Sequence, residues 1–531
     1  MKQRCRQYKP VILIILDGWG IAPPSRGNAV YSAKPRNFND LWKHYPHTEL
    51  SASGRDVGLP QGQMGNSEAG HMNLGAGRRV TQDSVLISRS ISDGTFFKNP
   101  AFKAAARHVK INHSRLHLMG LLSGDQSAHM YPEHLYALLA FAKKQKLSQV
   151  YLHLFTDGRD SLRKSALGYL EKLEKVIKEI GIGKIATISG RYWAMDRVRN
   201  WSRTEKVYNA IVSAKDARVT SAREVILRSY KNNITDEFIN PTVIYEEGRP
   251  VTCISSHDAI IFFNLRSDRA RQLAKPFAQK DFDGFSRKKK LDNILFVAMT
   301  EFGPDLDVLT AYPARTVDMS LPRVLARENL KQLYIAEAEK YAHVTYFFNG
   351  GFADPVGGED RIKIPSPKVK TYDQKPEMSA REVKDTIYKN IENEIHDFIT
   401  VNFANPDMIG HTGNLKAGIK AVKFVDRCVG EIVKLILKKD GLAIITADHG
   451  NIEEMIYPKT GKISTSHSKN PVPFIIVSSK LSEAQQVGYG ASKVKNPKLR
   501  KGILGDVTST LLELMKIKKP KEMTGESLIE I

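Results

Sequence analysis

Aspartate and histidine recur where apolar runs end. Asp17 follows VILIIL, Asp407 and His411 lie in NPDMIGHTG, Asp448 and His449 in TADHG, and His467 in TSHSKNPVPF. Carboxylate and imidazole donors without cysteine suit Mn, Mg, Zn or Fe rather than a soft site. Asp407 and His411 are four apart, so one helical turn brings both to one face. Asp448 and His449 are adjacent, and a strand would point them to opposite faces; if both bind metal, a turn must hold them, and Gly450 suits it. Taken singly, each favours a plainer reading: Asp17 a turn, His411 a surface residue and DHG a strand cap. Their recurrence after several apolar runs favours a metal pocket.

Ser67 stands in GQMGNSEAGHMNLGAG, residues 62–77, among glycines and with no base at a catalytic spacing. It is either a nucleophile or part of a tight turn. Three aspartates facing two divalent ions leave about +1, which would attract an anion and help deprotonate a hydroxyl. A metal can then replace the absent base, and Glu68 and His71 take supporting roles.

The middle of the chain carries a different chemistry. Arg159 and Asp160 lie in DGRDS, Arg191 and Arg197 in SGRYWAMDRVRNW, and Arg266 and Arg269 in FNLRSDRARQ. Guanidinium groups at strand ends suit bidentate recognition of phosphate and carboxylate, and Asp160 could accept a proton. The plainer alternative makes Asp196 with Arg197, and Asp268 with Arg269, surface ion pairs.

The elements that must position these groups are short apolar runs rich in β-branched residues. They include 11–18, 152–160, 185–191, 260–266, 294–300, 344–351, 398–407, 442–450 and 473–479, and they read as buried parallel strands. Between them lie amphipathic segments such as 165–181, with Leu167, Leu170, Leu173, Ile177 and Ile180 at helical spacing. Alternation of strand and helix predicts an α/β fold, whose ligands bind beyond the carboxyl ends of the strands. Candidate ligands come from both ends of the chain. The simplest path therefore joins residues 1–80 with 315–531 as a metal-binding domain and inserts 81–314 as a substrate-binding domain, with the two linkers acting as a hinge.

Bulk composition narrows the classes. A chain of 531 residues exceeds one core. A formal charge of +23, from 80 Lys and Arg against 57 Asp and Glu, invites nucleic acid or an anionic substrate. The lysine runs at 286–290 and 514–522 are short and no nucleic-acid signature accompanies them, so a small anionic substrate is favoured. The apolar run 11–16 is too short for a signal peptide, and none approaches the roughly 18 residues of a membrane span. Cys5, Cys253 and Cys428 are too scattered for a disulfide framework or a metal knuckle. A cytoplasmic protein without membrane or nucleic-acid partners is expected.

From Val11 to Phe474 the segments DGWG, GQMGNSEAGHMNLGAGR, DGRDS, GRYWAMDR, FNLRSDRARQ, EAEKYAHVTYFFNGG, NPDMIGHTGN, TADHGN and NPVPF appear in that order. They resemble the motifs of the cofactor-independent phosphoglycerate mutases, of the alkaline-phosphatase-like metalloenzyme superfamily. The resemblance implies an alkaline-phosphatase-like α/β domain with a second α/β domain inserted. It also implies interconversion of 3-phosphoglycerate and 2-phosphoglycerate by a monomer without an organic cofactor. Two manganese ions, or other divalent metals, are implied: one held by Asp17, Ser67, Asp448 and His449, the other by Asp407, His411 and His467. Ser67 would attack phosphorus and become phosphoserine. Arg191, Arg197, Arg266 and Arg269 would hold phosphate and carboxylate. Asp160, beside Arg159, would act as acid or base, and Lys340 would neutralise the moving phosphoryl group. A histidine that the family supplies from a GGVHSH-like segment falls here in LLSGDQSAHMYPEHL, where His129 and His134 both remain open. A phosphatase or another phosphomutase on the same scaffold is the rival enzyme.

Overall fold

The computed structural model describes residues 8–214, 219–287, 289–303, 305–458, 460–481 and 497–530. Cys5, and Lys288 of the lysine run 286–290, lie outside them. The chain divides into two compact units, Met1–Gln82 with Arg315–Ile531, and Asp83–Ala314.

The first unit is built on an eight-stranded sheet. Its strands run in the order Glu359–Ile364, Gln332–Glu337, Phe398–Phe403, Val11–Leu16, Leu442–Thr446, Val472–Val477, His47–Ser51 and Gly502–Ile503. Every residue of Val11–Leu16 is buried, as a central strand apolar on both faces requires. The first five strands are mutually parallel. Leu16 stands opposite Phe403 and Ile15 opposite Thr446, so Asp17 and Asp448 emerge at one carboxyl edge. The helix Leu415–Lys438 buries Ala417, Ala421, Val425, Cys428 and Ile432 and turns its Lys-rich side outward.

Two sequence expectations are corrected here. Val472–Val477 is antiparallel to both neighbours. Among the described residues of the intervening segment 447–471 the one helical element is the short turn Ile452–Glu454, whereas a parallel return needs a crossover helix. Residues 344–351 are not a strand. His343–Phe347 is a wide helical turn, continued by the Phe348 N–H bond to the His343 carbonyl and closed by Gly350 and Gly351 at φ +72° and +90°.

The second unit holds a seven-stranded sheet in the order Leu309–Tyr312, Leu295–Thr300, Ala259–Phe262, Leu116–Leu122, Val150–Thr156, Lys184–Gly190 and Thr242–Val243. All pairs are parallel except the last. Leu122, Thr156 and Gly190 are in register, so the residues that follow them, Ser123, Asp157 and Arg191, form a row at the carboxyl edge. The helix Ala166–Ile180 buries Leu170 and Leu173 and packs the half-buried Leu167, Ile177 and Ile180 on the same core. Cys428 in the first unit and Cys253 in the second are free thiols. Among the described residues no helix is long and apolar enough to cross a membrane.

Candidate functional site

Ser67 is the first residue of the helix Ser67–Ala76, whose N-cap Asn66 accepts a hydrogen bond from the Ala69 N–H. The segment is therefore a helix start rather than a tight turn. Close approach explains its glycines: a Cβ on Gly65 would lie 2.1 Å from the Ala52 carbonyl oxygen, and one on Gly70 2.6 Å from that of Asp448. Seated so, Ser67 Oγ donates to Asp17 Oδ1 at 3.2 Å, accepts from Lys340 Nζ at 2.7 Å and meets His449 Nε2 at 3.0 Å.

Lys340 Nζ also lies 2.6 Å from Asp17 Oδ1 and 2.6 Å from Asp407 Oδ2. Its backbone N–H bonds to the Glu337 carbonyl, so the last residue of a sheet strand anchors it. Asp407 lies in the first turn of the helix Asn405–Gly410, and His411 follows one turn later. Asp407 Oδ1 lies 3.2 Å from both His411 Nε2 and His467 Nε2, which are 3.1 Å from each other. His449 Nε2 lies 3.6 Å from Asp17 Oδ1 and 3.5 Å from Asp448 Oδ2.

Three donor groups of metal-binding spacing result: Asp407, His411 and His467; Asp17, Asp407 and His449; Asp17, His71 and Asp448. Their chemistry fits a divalent ion. The Nδ1 atoms of His411, His467 and His449 face the carbonyls of Thr465, Gly65 and Gly450 at 2.8, 2.7 and 3.2 Å. That contact fixes the proton on Nδ1 and turns the Nε2 lone pairs toward the carboxylates, as metal-binding imidazoles require. Asp448 Oδ1 accepts from the Gly18 and His449 N–H groups, while its buried Oδ2 faces His71 Nδ1 at 3.3 Å.

The field at the site is strongly divided. Burial and the neighbouring Asp448 push Asp17 up to about 6. Burial would raise Asp407 as well, but Lys340 and His411 hold its carboxyl well below the ordinary range. Burial and His449 lower His467 to about 4.

In the second unit, Arg191 Nη1 lies 2.6 Å from Asp157 Oδ1 and 2.9 Å from Asp160 Oδ2, and Ser127 Oγ donates to Asp160 Oδ2 at 2.8 Å. Against the cost of burial, Arg191 and His129 hold Asp160 far below the usual carboxylate range. Arg197 pairs with Asp268 at 3.0 Å, and Arg266 Nε stands 3.7 Å from the same carboxylate. Asp196 pairs instead with Arg203. Arg269 donates to the Met195 carbonyl, and burial among Arg197, Arg191 and Arg159 lowers it to about 9. Guanidinium groups gathered in this way favour an anion beside them. Arg159 turns away from Asp160 to Glu237, at 2.7 Å.

His129 is buried, with Nδ1 lacking a hydrogen-bond partner. Burial, Arg191 and Arg266 hold its pKa well below the ordinary value. His134 sits in the helix Pro132–Lys144, meets Ser88 Oγ at 3.1 Å and packs on Tyr131. The arginines therefore act on His129, and His134 belongs to the helix packing.

The Metalloenzyme superfamily profile matches residues 9–519. The chain is 49% identical over 523 residues to the 2,3-bisphosphoglycerate-independent phosphoglycerate mutase of Clostridium botulinum (strain ATCC 19397 / Type A), covering 98% of this chain and 99% of that one. It is 50% identical to the enzyme of that name from Clostridium kluyveri, with 98% and 99% covered. The chain belongs to the 2,3-bisphosphoglycerate-independent phosphoglycerate mutase family. A crystal structure of Leishmania mexicana phosphoglycerate mutase at low cobalt concentration superposes with a TM-score of 0.85 at 28% identity, covering 99% of this chain and 98% of that one.

Within this mutase-family scaffold several buried polar residues escaped the sequence reading. Asn402 Nδ2 donates to Asp17 Oδ2 at 2.6 Å and to His71 Nε2 at 3.0 Å, while His71 Nδ1 bonds to the Ser67 carbonyl. Asn451 Nδ2 donates to Asp407 Oδ1 at 2.8 Å. Glu453 accepts from the Gly20 and Asn451 N–H groups and from Ser468, tying the ligand loops together. Asn402 left one trace in the sequence, a lone amide inside the apolar run FITVNF.

Proposed function

We propose that the chain interconverts 3-phosphoglycerate and 2-phosphoglycerate through a phosphoserine at Ser67. The observation that carries this reading is the buried Ser67 hydroxyl, 2.7 Å from the Lys340 ammonium and at the start of a helix. A helix N-terminus and a lysine both favour phosphoryl oxygens. Two divalent ions, manganese being the expected species, would be held by Asp17, Ser67, Asp448 and His449 and by Asp407, His411 and His467, lowering the proton affinity of the Ser67 hydroxyl and offsetting phosphoryl charge.

Arg191, Arg197, Arg266 and Arg269, with His129 and Arg159, bind the carboxylate and phosphate. Ser67 Oγ, its proton shed before the step and regained only outside the cycle, attacks phosphorus as the bond to the first glycerate oxygen breaks and leaves again in the same ionised form, while Lys340 stabilises the charge on the group in transit. Asp160, ionised by its neighbours, takes the proton of the free hydroxyl and returns it to the departing oxygen. The freed hydroxyl oxygen then takes the phosphoryl group back from Ser67, and the proton count is unchanged. The substrate-binding role belongs to residues 81–314 and the phosphoryl-carrying role to the rest, in a monomer acting on this small molecule alone.

Coupling the reaction of 3-phosphoglycerate to enolase tests the reading. Manganese-dependent formation of 2-phosphoglycerate is expected, and Ser67→Ala should abolish it while substrate binding by calorimetry persists. Release of inorganic phosphate without 2-phosphoglycerate, or a Ser67→Ala variant near wild-type activity, would overturn it.

A further inference from the structure

Asp157 has no part in the chemistry above, yet it accepts four hydrogen bonds at the second unit's carboxyl edge. The register that aligns Leu122, Thr156 and Gly190 puts it between Ser123 and Arg191. It is 1% exposed, and Arg191 3%. Asp157 Oδ2 accepts from Ser123 Oγ at 2.5 Å. Its Oδ1 accepts from Arg191 Nη1 at 2.6 Å and from the N–H groups of Arg159 and Asp160 at 3.1 Å each. One Arg191 nitrogen thus serves two carboxylates, Asp157 and Asp160.

We propose that Asp157 is a positioning residue, the permanent counter-ion of Arg191 that leaves Asp160 free to exchange a proton with substrate. The inference rests on the phosphoglycerate activity proposed above. A buried guanidinium needs an anion beside it. If Asp160 were the sole partner, taking up a proton would strip Arg191 of its counter-charge, and the protonated state would be disfavoured. With Asp157 in place, Arg191 stays charged and fixed while Asp160 alternates between its two forms. The turn of DGRDS alone does not require this charge. An asparagine could accept the same two backbone N–H bonds through its side-chain carbonyl, but it cannot balance Arg191.

The substitution that separates the roles is therefore Asp157→Asn. Loss of the counter-ion should lower kcat about 10–100-fold, a fraction of the roughly 10²–10⁴-fold that acid–base groups contribute, with KM for 3-phosphoglycerate changed less than about threefold because Arg191 remains beside Asp160. In an Arg191→Gln background the same change should cost less than about threefold, since the charge it balances is gone. Ser123→Ala, which removes a donor from Asp157 Oδ2, should lower kcat in the same direction; it serves as the test if Asp157→Asn does not fold. A kcat within threefold of wild type, or an equal loss with and without Arg191, refutes the inference while the wild-type enzyme still interconverts the phosphoglycerates. A wild type without that turnover refutes the activity, and this inference with it.

Discussion

Glu337 ends a central strand of the first unit and is buried. Its Oε1 accepts from the Ser379 N–H at 3.0 Å, and Ser366 stands beside the carboxyl. Burial, then Glu382 and Glu339, raise it from 4.5 to about 7. A carboxyl raised in the fold is a liability only when ionised. The penalty is absent below about pH 4.5, grows between 4.5 and 7 as the folded state holds a proton the unfolded state has lost, and is complete above 7. At about 1.4 kcal/mol for each pKa unit the ceiling is about 3 kcal/mol. Glu337→Gln keeps the acceptor for Ser379 and a polar group beside Ser366. The variant should therefore melt about 2–3 °C higher than wild type at pH 8, allowing a realised gain of about 1–2 kcal/mol. At pH 5 the two should coincide within about a degree. Scanning fluorimetry of chelator-treated protein across pH 5–8 reads both numbers. A difference that is the same at every pH, or a Gln variant less stable at pH 8, would refute the assignment of a buried, proton-holding carboxyl.

Asn402→Ala frees one oxygen of Asp17 and breaks its tie to His71, so Mn2+ affinity by calorimetric titration should fall about 10–100-fold, as for other groups that orient ligands; unchanged affinity would show that Asp17 is held by Lys340 alone. His129→Asn should raise KM for 3-phosphoglycerate about tenfold or more through loss of a group among the arginines, whereas His134→Phe should leave kinetics within about twofold. The reverse pattern would assign the substrate histidine to His134. His134 is itself lowered to about 3 by burial, so the protein loses stability as pH falls from 6.5 toward 3, and His134→Phe should flatten that acid-side loss in melting curves.

The sequence disclosed the site wherever chemistry coincides with a break in apolar pattern. Asp17 and Asp448 interrupt buried strands, and Asp407 with His411 share one helical turn; each is visible without coordinates. The direction of Val472–Val477 was not, because a strand buried on both faces reads the same in either orientation. VTYFFNGG misled for a related reason: a short apolar run has no period to tell strand from helix. Asn402, Asn451 and Asp157 act through partners far away in the chain or in a neighbouring strand, and no local spacing announces such contacts. Ser67 lay between, since its residue type invited attention but only the convergence of Asp17, Lys340 and His449 gives its hydroxyl a task.

Val11–Leu16 is made before the other strands of its sheet, yet both strands that flank it, Phe398–Phe403 and Leu442–Thr446, are made hundreds of residues later. At about 5–20 residues per second that delay is roughly 20–80 s. Throughout it, the most hydrophobic strand of the sheet has no partner, while the contiguous unit Asp83–Ala314 can finish folding behind it. The nascent chain should therefore need a holding chaperone for its first strand, and a stalled or truncated product ending before residue 398 should aggregate through VILIIL.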